Sequence, residues 1–393
     1  MNDLVEANSR FAVDVFKQQM DERLGRNMVL SPIILGAGIS MVFLGTRTDT
    51  AQQIRRVLHI TGLTRSAYEP LSETDCDKAG GFHSLFKQLL SAIHQRSKHY
   101  PLKICSRLYA SKNYDFLEQY LQCIEELYNS ELKKVDFMTS TEEVRQKINS
   151  WVERQTNGDV KNFFPATSFN PSILMVLVNA ISFKGFWKIP FNPKYTRKAV
   201  FWTCKDQSIH VEMMVQQDMF NIGNLSNPPM QVLELPYDND AIFMYVLLPD
   251  NHITTDEIIK ELTYEKIQEW TRSESMRKGQ ATVYLPKFRV EDHRVEDQYS
   301  LKPILLAMGV KDLFISGKAD LSGMSGNRNL AVSQIRHKVF IEVNEDGARA
   351  VAGIRTVVPG SHPEFKANRP FLFILRDAVT KSILFMGRIC WPL

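Results

Sequence analysis

A hydrolase would need a nucleophile beside a base, and this sequence offers few. Cys105 and Cys204 are thiols that a distant histidine could activate, though either suits equally the role of a small buried hydrophobe. The nearest approach to a serine elbow, Gly323-Met324-Ser325-Gly326, has the wrong spacing for G-x-S-x-G. Histidines never pair at metal-ligand intervals, and H-E-x-x-H, a Walker loop and G-x-G-x-x-G are all missing. The informative spacing lies near the C-terminus. Ala348, Ala350, Ala352, Ile354, Thr356 and Val358 form one alternating series, small at first and then apolar. Arg349, Val351, Gly353, Arg355 and Val357 form the other. The first series can face a core while both arginines face water, which is strand patterning. Before it stands Val343-Asn344-Glu345-Asp346-Gly347, a polar strand end whose glycine permits a backbone turn.

The elements around this segment divide by position. Helical periodicity dominates the first third. Asn2 to Glu6 offers a cap before an apolar stripe, and Leu30-Ser31-Pro32 opens a helix that ends near Gly45-Thr46. Ser140-Thr141-Glu142-Glu143 reads as a capping box. Behind it Val144, Ile148, Trp151 and Val152 share a face, and Asn157-Gly158 closes the helix. Strand patterns follow. Leu174 to Phe183 is an unbroken apolar run, suited to burial on both faces. Val232 to Tyr237 and Ile242 to Leu248 flank the turn Asp238-Asn239-Asp240. Ala281 to Leu285, Phe371 to Leu375 and Ile383 to Ile389 are further strands. Thr61 to Gly81 reads as a surface loop. Helices early and strands late predict an α+β fold, and no repeat or long linker divides it, so residues 1–393 are read as a single domain.

Composition narrows the function. Apolar residues are 44% and charged residues 23%, as in soluble globular proteins. The net charge of +4 is too balanced to predict nucleic-acid binding, and no stretch approaches a membrane span. The first 19 residues lack the unbroken apolar stretch of a secretory leader. Five scattered cysteines, odd in number and without C-x-x-C, predict no disulfide framework and no metal site, and fit a reducing cytoplasmic compartment. Unconventional export to the cell surface or beyond stays open. The one sequon, Asn224-Leu225-Ser226, is read as coincidence in that setting. Lys87, His94, Arg96, Lys98, His99 and Lys103 cluster in or after one helix. They could contact a glycosaminoglycan, or form an ordinary solvated face.

Several strings, taken in order, resemble the serpin family. They are NMVLSPIILGAG at 27–38, LVNAISFKGFWKIPF at 177–191, LPKF at 285–288, MGVKDLF at 308–314 and DLSGM at 320–324, then IRHKVFIEVNEDG at 335–347 and FKANRPFLFILRDAVTKSILFMGRICWP at 365–392. The ordered set is specific where each piece alone is weak, and the absent leader and the start at the first helix resemble the intracellular, ovalbumin-like branch, clade B.

The resemblance implies a large central sheet, two smaller sheets, about nine helices and an exposed reactive-centre loop at about 347–365. It implies a monomeric protease inhibitor without cofactor or catalytic residues of its own, acting as a suicide substrate for a serine protease. Gly347, Ala348, Arg349, Ala350, Val351, Ala352 and Gly353 take the place of the hinge. Arg349 replaces a common glutamate and Val351 a common alanine; both belong to the outward series. Ser31, Asn179 and His337 match the polar cluster beneath the central sheet, called the shutter, with Ile34 where a second serine is usual. Trp187 matches the tryptophan of the breach, where the loop first enters. Counting forward from Gly347 by the family's interval places the reactive bond at Ser361-His362, while counting back from Phe365 places it nearer Pro359, so the loop is about two residues short; Gly360-Ser361 and Arg355-Thr356 are the alternatives. Small residues there suit an elastase-like or broad-specificity target. The other reading is a non-inhibitory serpin, a chaperone or carrier, whose loop is cleaved without trapping.

Overall fold

The computed structural model describes residues 1–22, 25–63, 76–77, 81–96, 102–237, 240–290, 300–346 and 362–392. Among the described residues the helices are α1 (Asn2–Glu22), α2 (Pro32–Leu44), α3 (Thr48–Val57), α4 (Phe82–Arg96), α5 (Glu118–Tyr128), α6 (Thr141–Gln155), α7 (Thr255–Glu261), α8 (Tyr264–Trp270) and α9 (Lys302–Ala307). The strands are β1 (Met28–Leu30), β2 (Leu102–Ser111), β3 (Leu132–Val135), β4 (Met175–Lys184), β5 (Arg197–Trp202), β6 (Ser208–Ser226), β7 (Pro229–Pro236), β8 (Ile242–Pro249), β9 (Arg277–Pro286), β10 (Phe288–Val290), β11 (Gln334–Val343), β12 (Glu364–Lys366), β13 (Phe371–Asp377) and β14 (Ile383–Ile389).

The apolar run at 174–183 becomes β4, the middle of a five-stranded sheet ordered β10-β11-β4-β2-β3. Every β4 residue but Lys184 is buried, because both faces of this sheet are covered. Leu177, Ile181 and Phe183 face the main core with α2, while Val176, Val178 and Ala180 meet Val144, Ile148, Trp151 and Val152 of α6. The α6 stripe read from the sequence is therefore the face that covers the sheet. The two smaller sheets are the ends of one nine-stranded ladder, β1-β14-β13-β8-β7-β6-β9-β12 with β5 also on β6. The 19-residue β6 is long enough to join them.

Two expectations are overturned. Cys76 bonds Cys123 and Cys204 bonds Cys390, leaving only Cys105 free. The paired Cα atoms are 5.1 Å and 5.0 Å apart, inside the range a disulfide requires. The partners lie 47 and 186 residues apart in sequence, so no local spacing could reveal them. The cysteine argument for a reducing compartment loses its ground. The capping box at Ser140 also fails, for Ser140 precedes α6 without a side-chain cap bond. Glu143 instead pairs with Lys147, one turn along, at 2.7 Å. A reciprocal capping box forms at Thr254 and Glu257, opening α7. The predicted stop of α6 is present, with Asn157 at φ 52° and Gly158 at φ 83°.

Candidate functional site

The line between β4 and β11 is unlike the sheet's other central contacts. The two strands run parallel and pair directly from Gln334↔Val176 to Glu342↔Lys184. Their outer neighbours are antiparallel, β2 to β4 and β10 to β11. Parallel pairing is slightly the weaker per residue. A chain leaving β11 and turning back would run antiparallel to β11 and, by the same geometry, antiparallel to β4. It could exchange one parallel ladder for two antiparallel ones. The chain that leaves β11 is the alternating segment, which re-enters the described structure at His362.

Both ends of that segment are held. At the β11 end, Trp187 is buried and its indole N–H donates to the Asn344 carbonyl at 2.8 Å. Its backbone N–H donates to the Asp346 carbonyl at 3.0 Å, and that of Phe191 to the Glu345 carbonyl at 3.1 Å. The Trp187 ring stacks on Tyr237 at 4.3 Å. The Glu345 carboxylate accepts from Thr196 Oγ1 at 2.8 Å and pairs with Lys287 at 2.9 Å. Burial pushes this carboxyl upward, but the bonds to Lys287 and Thr196 more than offset it and hold Glu345 below its ordinary value. At the far end, Thr282 N–H donates to the Pro363 carbonyl at 2.9 Å, and β12 lies parallel to β9 with Phe365 fully buried.

Beneath the seam the polar trio comes together. His337 sits opposite Asn179 in register, and Ser31 reaches His337 Nε2 with its backbone N–H at 3.0 Å. The Ser31 hydroxyl is buried and finds no partner among the described residues, so this serine contributes its main chain. Ser106, opposite Asn179 on β2, donates its hydroxyl to Asn179 Oδ1. The sequence reading missed Ser106. It also missed Gly38 of α2, where a Cβ would stand 2.5 Å from the Asn179 amide. Ile34 is buried in the core and takes no part in this network.

On the opposite face, β11 presents Arg336 and Lys338, both buried. Arg336 donates to the Phe163 carbonyl at 3.1 Å and Lys338 Nζ to the Lys161 carbonyl at 2.6 Å. Those carbonyls belong to the segment that runs from α6 into β4. The bonds therefore stitch β11 to the chain of β4 across the seam. Replacing Lys338 by Met keeps the stem and removes the donor. A charge-assisted bond of about 1.5 kcal/mol corresponds to roughly tenfold in an opening equilibrium. Amide exchange along β4 and β11 is expected to quicken by about that factor, with the rates in the nine-stranded ladder unchanged.

The remaining sequence-predicted residues fall elsewhere. Gly347, Ala348, Arg349, Ala350, Val351, Ala352 and Gly353, and the bonds at Arg355, Gly360 and Ser361, lie outside the described residues; His362 is partly buried. The Cys105 thiol is pushed up to about 12 by burial, and Cys204 is in a disulfide, so neither is an activated nucleophile. Two described members of the cationic cluster are paired with carboxylates. Arg96 grips the fully buried Asp377 carboxylate with two bonds, at 3.0 and 2.9 Å, and Lys87 pairs with Glu126 at 2.9 Å. Lys103 is exposed, and Lys98 lies outside the described residues. Among the described residues no helix is long and apolar enough to cross a membrane.

The chain matches known proteins over its whole length. The family described as "Serpin (serine protease inhibitor)" matches residues 6–392. Serpin B3 of Homo sapiens is 40% identical, with all of both chains covered. Ovalbumin-related protein Y of Gallus gallus is 37% identical, again over the whole of each. The crystal structure of uncleaved ovalbumin superimposes with a TM-score of 0.87 at 35% identity, covering 99% of this chain and 100% of that one.

Proposed function

The chain belongs to the serpin family, and from that premise we propose that it inhibits a serine protease as a suicide substrate. The carrying observation is the closed parallel seam of β4 and β11, next to an alternating segment that continues directly from β11. The chemistry is the protease's. Its serine attacks the carbonyl before the scissile bond, the leaving amine departs, and an acyl-enzyme forms on the new C-terminal end of residues 347–361. The cut releases that end from the anchor at β12. The segment then folds back on β11, parts it from β4, and carries the tethered protease along the sheet before water can deacylate it.

Three local features support the reading. The polar cluster flanks the seam on both sides, Ser106 bonding Asn179 on β4 and the Ser31 main chain bonding His337 on β11, where a wholly apolar seam would be interlocked. The clamp of Trp187 on Asn344 and Asp346 holds the point about which the segment must turn. The small residues Gly360 and Ser361 fit a shallow specificity pocket, so the favoured target is elastase-like or broadly specific. Cleavage at Arg355-Thr356 by a trypsin-like enzyme would leave too short a strand to fill the seam, and simple turnover is expected there.

Mixing the protein with an elastase-like and a trypsin-like serine protease tests this on a denaturing gel. A boil-stable band at the summed mass is expected with the first. Clean loop cleavage without that band, across proteases of both kinds, would establish the non-inhibitory alternative.

A further inference from the structure

The sequon Asn224-Leu225-Ser226 has no part in inhibition, yet its setting suits modification. It lies on β6, where pairing with β9 ends at Ile222↔Arg277. From Gly223 to Ser226 the strand runs on with β7 as its partner, forming a hairpin that turns through Asn227-Pro228. Asn224 and Ser226 are both exposed. The Asn224 amide is also oriented. Its Oδ1 accepts from Gln231 Nε2 at 3.1 Å, while no described residue bonds its Nδ2. A glycan is attached through Nδ2, so the bond to Gln231 survives the modification.

The disulfides supply the second, independent observation. Cys76–Cys123 ties a residue that precedes α4 to α5, and Cys204–Cys390 ties the turn after β5 to the residue after β14, partners distant in sequence. Disulfides form and persist where the surroundings are oxidising, as in the secretory pathway and outside the cell. That pathway is also where asparagine side chains in this tripeptide receive oligosaccharide. Either feature alone is weak; the exposed sequon and the two disulfides point to the same location, against the cytoplasmic expectation drawn from the first 19 residues.

We infer that this serpin folds in the secretory pathway and carries an N-linked glycan on Asn224. In the transfer, Nδ2 of Asn224 forms a bond to the anomeric carbon of a lipid-diphosphate-linked oligosaccharide. The bond from that carbon to phosphate oxygen breaks, and the amide proton leaves with the diphosphate. Position makes the glycan compatible with inhibition. Gln231, its register partner, stands six residues along the chain from Tyr237, the residue on which Trp187 stacks, or about 20 Å at strand rise. The attachment point is therefore set apart from the clamp at Trp187.

The full chain, expressed in cultured secretory mammalian cells, decides the matter. Treatment with peptide-N-glycosidase is expected to speed migration of the wild type and of Ser226→Thr, which keeps the sequon. Asn224→Gln and Ser226→Ala are expected to run at the deglycosylated position without treatment. Four cysteines should resist alkylation until the protein is reduced. A wild-type chain whose mobility the glycosidase leaves unchanged overturns the proposal, as does a shift that persists in Asn224→Gln. Neither result depends on whether a protease is trapped.

Discussion

Cutting the chain at Gly360-Ser361 or Ser361-His362 is expected to yield a nicked protein that unfolds roughly 10–20 °C above the intact one. The reason is the number of hydrogen bonds that the uncut segment cannot form. About a dozen residues gain ladder bonds on entering the sheet, at roughly 0.5–1.5 kcal/mol each, for a total on the order of 10 kcal/mol. Burial of Ile354 and Val358 adds about 1.5–3 kcal/mol each if complete. Against this stands the loss of the direct β4–β11 ladder, which is parallel and is replaced by two antiparallel ones. On the proposed mechanism insertion waits for the cut, because the described chain is anchored at both ends, by Trp187 and Glu345 on one side and by β12 on the other. Ala350→Glu supplies the control. It puts a carboxylate in the inward series, where burial without a partner is costly. The cleaved variant should unfold close to its own uncleaved form and give turnover in place of a trapped complex. Equal unfolding temperatures for cut and uncut wild type would show that the segment does not enter the sheet.

How much of this was legible in the sequence depended on where each contact was determined. The run at 174–183 announced a doubly buried strand because burial on both faces removes nearly every polar residue, leaving only Ser182 and Asn179, the one placed in the seam's polar cluster. The period of α6 was equally plain, since Val144, Ile148, Trp151 and Val152 need only one face. Arg336 and Lys338 were hidden for the opposite reason. Charged residues at alternate strand positions read as a solvent face, and this face is covered by a segment whose carbonyls accept from them. The Glu345–Lys287 pair was half visible, because Lys287 lies in the LPKF string, but nothing local joins it to residue 345. The disulfides were invisible outright. Cys204 follows β5 and Cys390 follows β14, and only the path of the folded chain brings them together.

Trp187→Ala is the substitution expected to weaken the intact molecule most. The indole is buried against Tyr237 and Phe191, so its removal leaves a cavity and costs roughly 3–5 kcal/mol. It also deprives the Asn344 carbonyl of its donor, just where β11 hands the chain on to the alternating segment. Three consequences follow from one change. The thermal midpoint should fall by several degrees, and amide exchange at the end of β11 should rise more than exchange in β13 or β14. A loosened β11 also exposes unpaired strand edges, which accept other strands, so the variant should associate on mild warming where the parent does not. Trp187→Phe separates packing from hydrogen bonding. It restores most of the ring contact but not the bond to Asn344, and about 1 kcal/mol of the loss should remain. If Trp187→Ala melted with the parent and exchanged evenly along β11, the indole would be ordinary filling and the clamp would have to be sought in Glu345 and Lys287.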